Sequence, residues 1–308
     1  MKLLIRDWFL LLALVIAAQS TLRAESKFTI QAGTSQIEVN VDGDFARLSE
    51  TQLKHWVQNA GDAVVAYYGH FPVPHLDLRI RQFDGAGVRG GRTFAMHGGL
   101  IRISVGSQTT EEDLNTDWML THEMVHLTFP SMPDQNHWIE EGIATYVEPI
   151  ARIQAGQFSA SRMWFELVRD MPKGLPQSGD QGLDHTHTWG RTYWGGALFC
   201  FLADIEIRKQ TQNKKGLQDA LRGILNAGGD MREDWELEKA LLAGDRAVGV
   251  DVLMKLYNQM RDRPMPVDLE KLWKQLGVQQ TDGAVQFVDD APLAAIRRSI
   301  TAARPGTP

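Results

Sequence analysis

Residues 121–146, THEMVHLTFPSMPDQNHWIEEGIATY, constrain the fold of this 308-residue chain more than any other stretch. His122, Glu123 and His126 form H-E-x-x-H inside DLNTDWMLTHEMVHLTF, where Leu114, Trp118, Leu120, Val125 and Leu127 recur at helical spacing. On a helix, positions i and i+4 share a face, so both imidazoles can bind one metal ion from the same side. Glu123 lies about 100° around that helix, where it reaches a water beside the metal rather than the metal itself. A solvent-facing helix with accidental histidines is the alternative that the pattern alone leaves open.

Hydrolytic zinc sites supply three protein ligands and leave one position free, whereas structural sites close with four. Glu141 follows His126 after fourteen intervening residues, in HWIEEGIATYVEP. That segment is helical by period and is expected to pack antiparallel to the first helix across the turn 130–136. Glu141 then faces back toward the histidines, and Gly142 beside it permits the close helix approach that a metal bridge demands. Glu140 competes for the same role. Thr145, one turn on, either accepts a hydrogen bond from a ligand imidazole and fixes its tautomer or faces water.

HEMVH followed by WIEEGIATYVE resembles the H-E-x-x-H and W-L-N-E-G-F-A-S-Y-V-E signature of the gluzincin metallopeptidases of the MA clan, in their alanyl and glycyl aminopeptidase branches. The resemblance implies a thermolysin-like catalytic core, one Zn²⁺ per chain, and peptide or protein substrates. It places the third ligand at the glutamate before the glycine, which is Glu141 here, and the general base at Glu123. The loop 127–137 is a few residues shorter than in relatives of the aminopeptidase N type. The family also carries a catalytic tyrosine in Y-x-K-G at the head of a long apolar helix. RTYWGGALFCFLADIEIR matches this with Tyr193, three residues before Gly196, although Gly195 replaces the lysine. A phenol there donates a hydrogen bond where charge develops on the tetrahedral oxyanion; a plain interface aromatic is the other reading of Tyr193. The match spans roughly residues 25–210 and is specific in 117–148 and 189–204.

Alanyl-type members grip the substrate's free amine with G-A-M-E-N on an edge strand. Here FAMHGG keeps Ala95 and Met96 but has His97 and Gly98 where the glutamate and asparagine stand. An imidazole does not attract an ammonium group, so N-terminally blocked peptides are expected to be accepted at least as well as free ones. Gly98 and Gly99 still leave an edge for main-chain pairing. Binding of the amine by another acidic group such as Glu140 is the alternative.

Around this segment the pattern is α+β: a small mixed sheet with one helix, then a helical half. KFTIQAG, SQIEVNV, HLDLRIRQF and RTFAMHGGLIRISVG alternate as strands, and LSETQLKHWVQNAGDAVVAYYGHF is a helix with Ser49 and Gln52 as a capping box. Beyond 109 the strand signal nearly vanishes, and helical periods cover 111–128, 137–149, 159–170, 188–210, 214–226, 234–243, 250–261, 267–276 and 291–302. MPKGLPQSGDQGLDHTHT, at 171–188, reads as a mobile loop. The expected division is 25–108 for the sheet subdomain, 109–210 for the zinc-site helices and 211–308 for a helical C-terminal region.

The first 24 residues, with Lys2 and Arg6 before an apolar run from Trp8 to Ala18 and a Leu22-Arg23-Ala24 exit, read as a cleaved export signal. The run is about half the length a membrane span needs, so no stable span is expected after cleavage and the mature chain is placed in the periplasm or outside the cell. Cleavage removes three cations and one anion, taking the formal charge from −6 to −8, and an acidic chain has no electrostatic footprint for nucleic acid. Cys200 is the only cysteine and lies in GGALFCFLAD, so it reads as a small buried hydrophobe. His185 and His187 are either a second metal pair or solvated loop residues. Asp117 is a helix-start residue or a partner of the metal ligands, and Lys214 and Lys215 are a solvated helix start. Two rival functions use the same site: a non-catalytic peptide-binding protein, and a hydrolase of a non-peptide amide or ester.

Overall fold

A computed structural model describes residues 25–96 and 98–303, so the expected export signal at 1–24 and His97 lie outside the described residues. The alternating N-terminal sequence forms β1 (Glu25–Ala32) and β2 (Ser35–Asp42), an antiparallel hairpin around Gly33, whose φ of +60° suits a residue without Cβ. In α1 (Glu50–Tyr68) the capping box is present: the Gln52 amide donates to Ser49 Oγ and the Ser49 amide to Gln52 Oε1. The helix returns the chain to β3 (His75–Phe83), parallel to β2, and β4 (Val88–Phe94) and β5 (Leu100–Gly106) complete a sheet ordered β1-β2-β3-β5-β4. Strands β2, β3 and β5 run parallel, while both edge strands are antiparallel to their neighbours. The register places Val39, Leu78 and Ile101 in one buried row and Val41, Ile80 and Ile103 in the next. Arg79, Arg81 and Arg102 stand exposed on the opposite face, as a strand period of two requires when only one face is covered.

The helix expected over 111–128 is two helices, α2 (Glu111–Thr116) and α3 (Met119–His126). The break is Asp117, extended at ψ 133°, whose carboxylate accepts from the Met119 and Leu120 amides at 3.0 and 3.1 Å and from Trp56 Nε1 at 3.0 Å. It satisfies first-turn amides of α3, which makes it a helix-start residue. Next, α4 (His137–Gln154) runs through Pro149 past the expected end at 149. It is followed by α5 (Ala160–Asp170), a π-helical turn Gly190–Gly195 leading into α6 (Gly196–Gln210), α7 (Leu217–Asn226), α8 (Leu237–Val248), α9 (Val252–Met260), α10 (Leu269–Leu276) and α11 (Ala294–Thr301).

Two expectations need correction. A hairpin of β6 (Val278–Thr281) and β7 (Ala284–Phe287) lies in the half expected to be all helical, around Asp282-Gly283. The segment 171–188 is irregular but tied down: the Leu183 and Asp184 amides donate to the carbonyls of Met260 and Arg261. The buried Asp184 carboxylate accepts from Asn136 Nδ2, Trp138 Nε1 and the Tyr257 hydroxyl at 3.0, 2.8 and 2.7 Å. One cluster of buried apolar side chains extends from Phe28 to Ile300. No described helix is long and apolar enough to cross a membrane.

Candidate metal centre

His122 and His126 project from the same face of α3 toward Glu141 on α4. His122 Nε2 lies 3.0 Å from Glu141 Oε2 and 3.2 Å from His126 Nε2, and His126 Nε2 lies 3.5 Å from the same carboxylate oxygen. A tetrahedral zinc site with bonds of ~2.1 Å spaces its donor atoms ~3.4 Å apart. The three donors therefore already stand at coordination spacing, and they are the only His/Cys/Asp/Glu group of this kind among the described residues. Burial pushes the His122 imidazole down, toward its neutral form. Burial acts on His126 in the same direction, but the Glu141 hydrogen bond and charge outweigh it and raise it. For Glu141, burial is overcome by hydrogen bonds from three histidines, which hold the carboxyl well below the usual range. An ionised carboxylate with imidazole nitrogens is a donor set that a divalent cation binds in competition with protons.

Glu123 is buried, and its carboxylate lies against the edge strand β4 rather than among the three donors. Thr93 Oγ1 is 2.6 Å from Glu123 Oε2 and also lies 2.9 Å from the Glu123 carbonyl. A Cβ on Gly91 would stand 2.5 Å from Glu123 Oε1, so glycine at 91 makes room for this carboxylate. Sequence reasoning missed both residues, although the Gly90-Gly91 pair inside a strand was a sign of close backbone approach. Met231, distant in sequence, also reaches the cleft.

Tyr193 sits in the π-helical turn, a backbone form that recurs at functional sites. Its ring is stacked 6.3 Å from that of His122. Burial first, and then the Glu141 charge, push the phenol up to about 12, so it remains a hydrogen-bond donor across neutral pH. Gly142 does make a close approach, but its partner is Gly196 of α6 rather than the histidine helix. A Cβ on Gly142 would lie 2.4 Å from Gly196 Cα, and one on Gly196 would lie 2.0 Å from the Trp138 carbonyl. The glycine pair thus joins the helix carrying Glu141 to the helix headed by Tyr193.

Glu140 is not part of the donor group. It pairs with His137 Nδ1 at 3.1 Å, while His137 Nε2 reaches Glu141 Oε1 at 3.3 Å. Glu140, then Glu141, raise this imidazole to about 10. His137 is a site residue that the sequence reading missed; its place one turn before Glu141 was the available signal. Thr145 makes no side-chain hydrogen bond to either imidazole among the described residues and lines a cleft beside His122. His185 is exposed and pairs with Asp262, and His187 is also exposed, far from forming a shared site. Cys200 is fully buried, and desolvation pushes its thiol up.

The donors, Glu123 and Tyr193 line one cleft of about 560 Å³, bounded by Gly90–Phe94 of β4 on one side. No family model and no curated protein matches the sequence. Solved structures do match in shape. An M1 zinc metallopeptidase from Deinococcus radiodurans superposes with a TM-score of 0.52 at 14% identity, over 79% of this chain and 53% of that one. An aminopeptidase N family protein from Idiomarina loihiensis gives 0.59 at 12% identity, over 87% and 53%. What is shared is the M1 metallopeptidase fold. The chain spans about half the length of these structures, and it carries a His-His-Glu group within its mixed sheet and helical frame.

Proposed function

We propose that this chain is an exported zinc-dependent peptidase of the gluzincin type, with a thermolysin-like catalytic core. The observation that carries the reading is the spacing of the three donors, 3.0 to 3.5 Å apart, in a cleft that also holds Glu123 and Tyr193. His122, His126 and Glu141 would hold the ion, which when bound would supply Lewis-acid polarisation of the scissile carbonyl and acidify a water near neutral pH. Glu123 takes a proton from the attacking water and passes it to the leaving amine. Tyr193 donates a hydrogen bond to the carbonyl oxygen as charge grows on it. The edge of β4 gives an extended substrate a main-chain pairing surface beside Glu123.

A peptide-binding protein gains nothing from Glu123, whereas hydrolysis requires it. Purified protein should carry about one zinc per chain, and His126→Ala should lose it. Glu123→Gln should keep the metal and lose activity by on the order of 10²-fold or more. Peptide cleavage undiminished in Glu123→Gln, or a wild type that neither carries nor rebinds zinc, would overturn the assignment.

The three glutamates lining the cleft are all engaged, Glu140 with His137, Glu141 with its histidines and Glu123 with Thr93. Among the described residues of the cleft each carboxylate already has a partner, which supports cleavage of N-terminally blocked peptides. Matched acetylated and free-amine peptides measure this, and a strict need for the free amine would return the chain to aminopeptidase action.

A further inference from the structure

The open face of the sheet carries an array of arginines. The register sets Arg79 of β3 opposite Arg102 of β5, and Arg102 opposite Arg92 of β4, so these side chains stand in one row across neighbouring strands. In the next row Arg81 and Arg89 flank Ser104. Each of these arginines is exposed. Arg89 lies over the Phe83 ring at 3.5 Å and Arg102 over that of Phe94 at 5.2 Å, contacts that hold both guanidinium groups against the face. Like charges directly opposite one another on a sheet repel. The chain as a whole has a formal charge of −6, so the array reverses the sign of the molecule's charge locally.

The carboxylates of this face do not balance it. Asp77 takes Arg79 at 2.6 Å, Asp42 lies 3.7 Å from Arg81, and Glu38 pairs with Lys27 farther along, on β2 and β1. Arg89, Arg92 and Arg102 form no ion pair among the described residues, and neither does Asp84 in the turn after β3. Even with Asp84 counted, five arginines face three carboxylates. Strand β4 belongs both to this array and to the metal cleft: a Cβ on Gly91 would meet Glu123, and Arg92, the next residue, also lines the cleft. Neighbouring strands are about 4.8 Å apart, so Arg102 and Arg79 carry the positive charge about 10 Å away from the cleft edge. Roughly three extended residues span that distance. Because the row begins at the cleft wall, the occupant it fits is the polypeptide that enters the cleft.

We infer that the arginine face of β3, β5 and β4 is an exosite that recruits protein substrates carrying an acidic segment a few residues beyond the bond to be cut. The inference rests on the peptidase reading for the identity of the occupant, while binding tests the surface without turnover. The probes are one neutral peptide extended by a glutamate-rich, a glutamine-rich or a lysine-rich tail. Fluorescence anisotropy measures their binding to the zinc-supplemented protein, to its Arg79→Gln/Arg92→Gln/Arg102→Gln variant and to the matching triple lysine variant. Exposed ion pairs are individually weak, so the three are changed together, and the glutamate tail should tighten binding about ten-fold over the glutamine tail. Salt at about 0.5 M, where screening acts within a few Å, should remove that difference. The triple glutamine variant should lose it, and the triple lysine variant should keep most of it, because charge draws the segment in. In cleavage assays the preference should appear in KM rather than kcat. Equal binding of the glutamate and glutamine tails, or a preference unmoved in the triple glutamine variant, would overturn the exosite. So would a triple glutamine variant that binds the glutamate tail as the wild type does but loses binding to phosphatidylglycerol vesicles. Binding of the glutamate tail through the array without cleavage of any peptide would instead overturn the peptidase reading and leave the surface standing.

Discussion

Thr93 stands thirty residues before Glu123 in sequence and 2.6 Å from its carboxylate in space. Its hydroxyl fixes the direction in which that carboxylate points, a task distinct from binding metal or substrate. Hydrogen bonds to charged groups contribute about 1.5–3 kcal/mol, so Thr93→Val should lower kcat roughly ten- to hundred-fold with zinc content unchanged. Thr93→Ser should restore most of the loss. A Thr93→Val enzyme with wild-type kcat would show that Glu123 needs no such support. At this scale the histidines were legible because imidazoles four residues apart on a helix leave few alternatives, whereas Glu141 was set above Glu140 by the family resemblance and by a Gly142 contact that the structure gives to Gly196 instead. Thr93, Gly91 and His137 were not, because a hydroxyl, a missing Cβ and a helix-start histidine acquire a role only from what packs against them.

The junction between α4 and α6 is made by glycine on glycine, and it sets the distance between Glu141 and Tyr193. Gly196→Ala would push a methyl group into the Trp138 carbonyl, 2.0 Å from the ideal Cβ position. Overpacking of this kind costs about 1–3 kcal/mol, and parting the helices should lower kcat as well. Unchanged thermal midpoint and kcat would mean that the junction relaxes freely. On the same α4, burial pushes the Glu148 carboxyl up to about 7, with Arg152 only partly offsetting it. Its folded pKa is thus above its unfolded value. The stability it contributes is present below about pH 4.5 and is lost as pH rises through about 7. Thermal midpoints measured from pH 4 to 8 should fall across that window in the wild type relative to Glu148→Gln; a difference that stays constant or runs the other way would refute this. The element-level misreadings share a cause. One helix was read over 111–128 because the apolar period continues through Asp117, whereas the side chain of Asp117 competes for the amides and restarts the helix.

Across the molecule, the C-terminal helices are joined to the candidate site through Asp184. Its carboxylate collects donors from the start of α4 and from Tyr257 on α9. Removing it leaves three buried donors without their acceptor, each costing about 1–3 kcal/mol when unsatisfied. Asp184→Ala should therefore lose about 3 kcal/mol or more of unfolding free energy in a denaturant titration. A loss within about 0.5 kcal/mol would show that other contacts hold the loop. The segment around Asp184 looked mobile because its composition is that of a loop, and composition does not reveal a buried carboxylate with three partners.

By itself the sequence determined what is local: which strand faces are apolar, where α1 is capped, and that two histidines and a glutamate belong to one helical pair. Periodicity and side-chain chemistry act over a few residues, so they are written directly in the chain. Tertiary structure alone decided that Thr93 and Gly91 frame Glu123, that Gly142 meets Gly196, and that Asp184 closes the loop 171–188 onto α4 and α9. Those outcomes depend on which distant surfaces are excluded from water together, and no short window of sequence contains both partners.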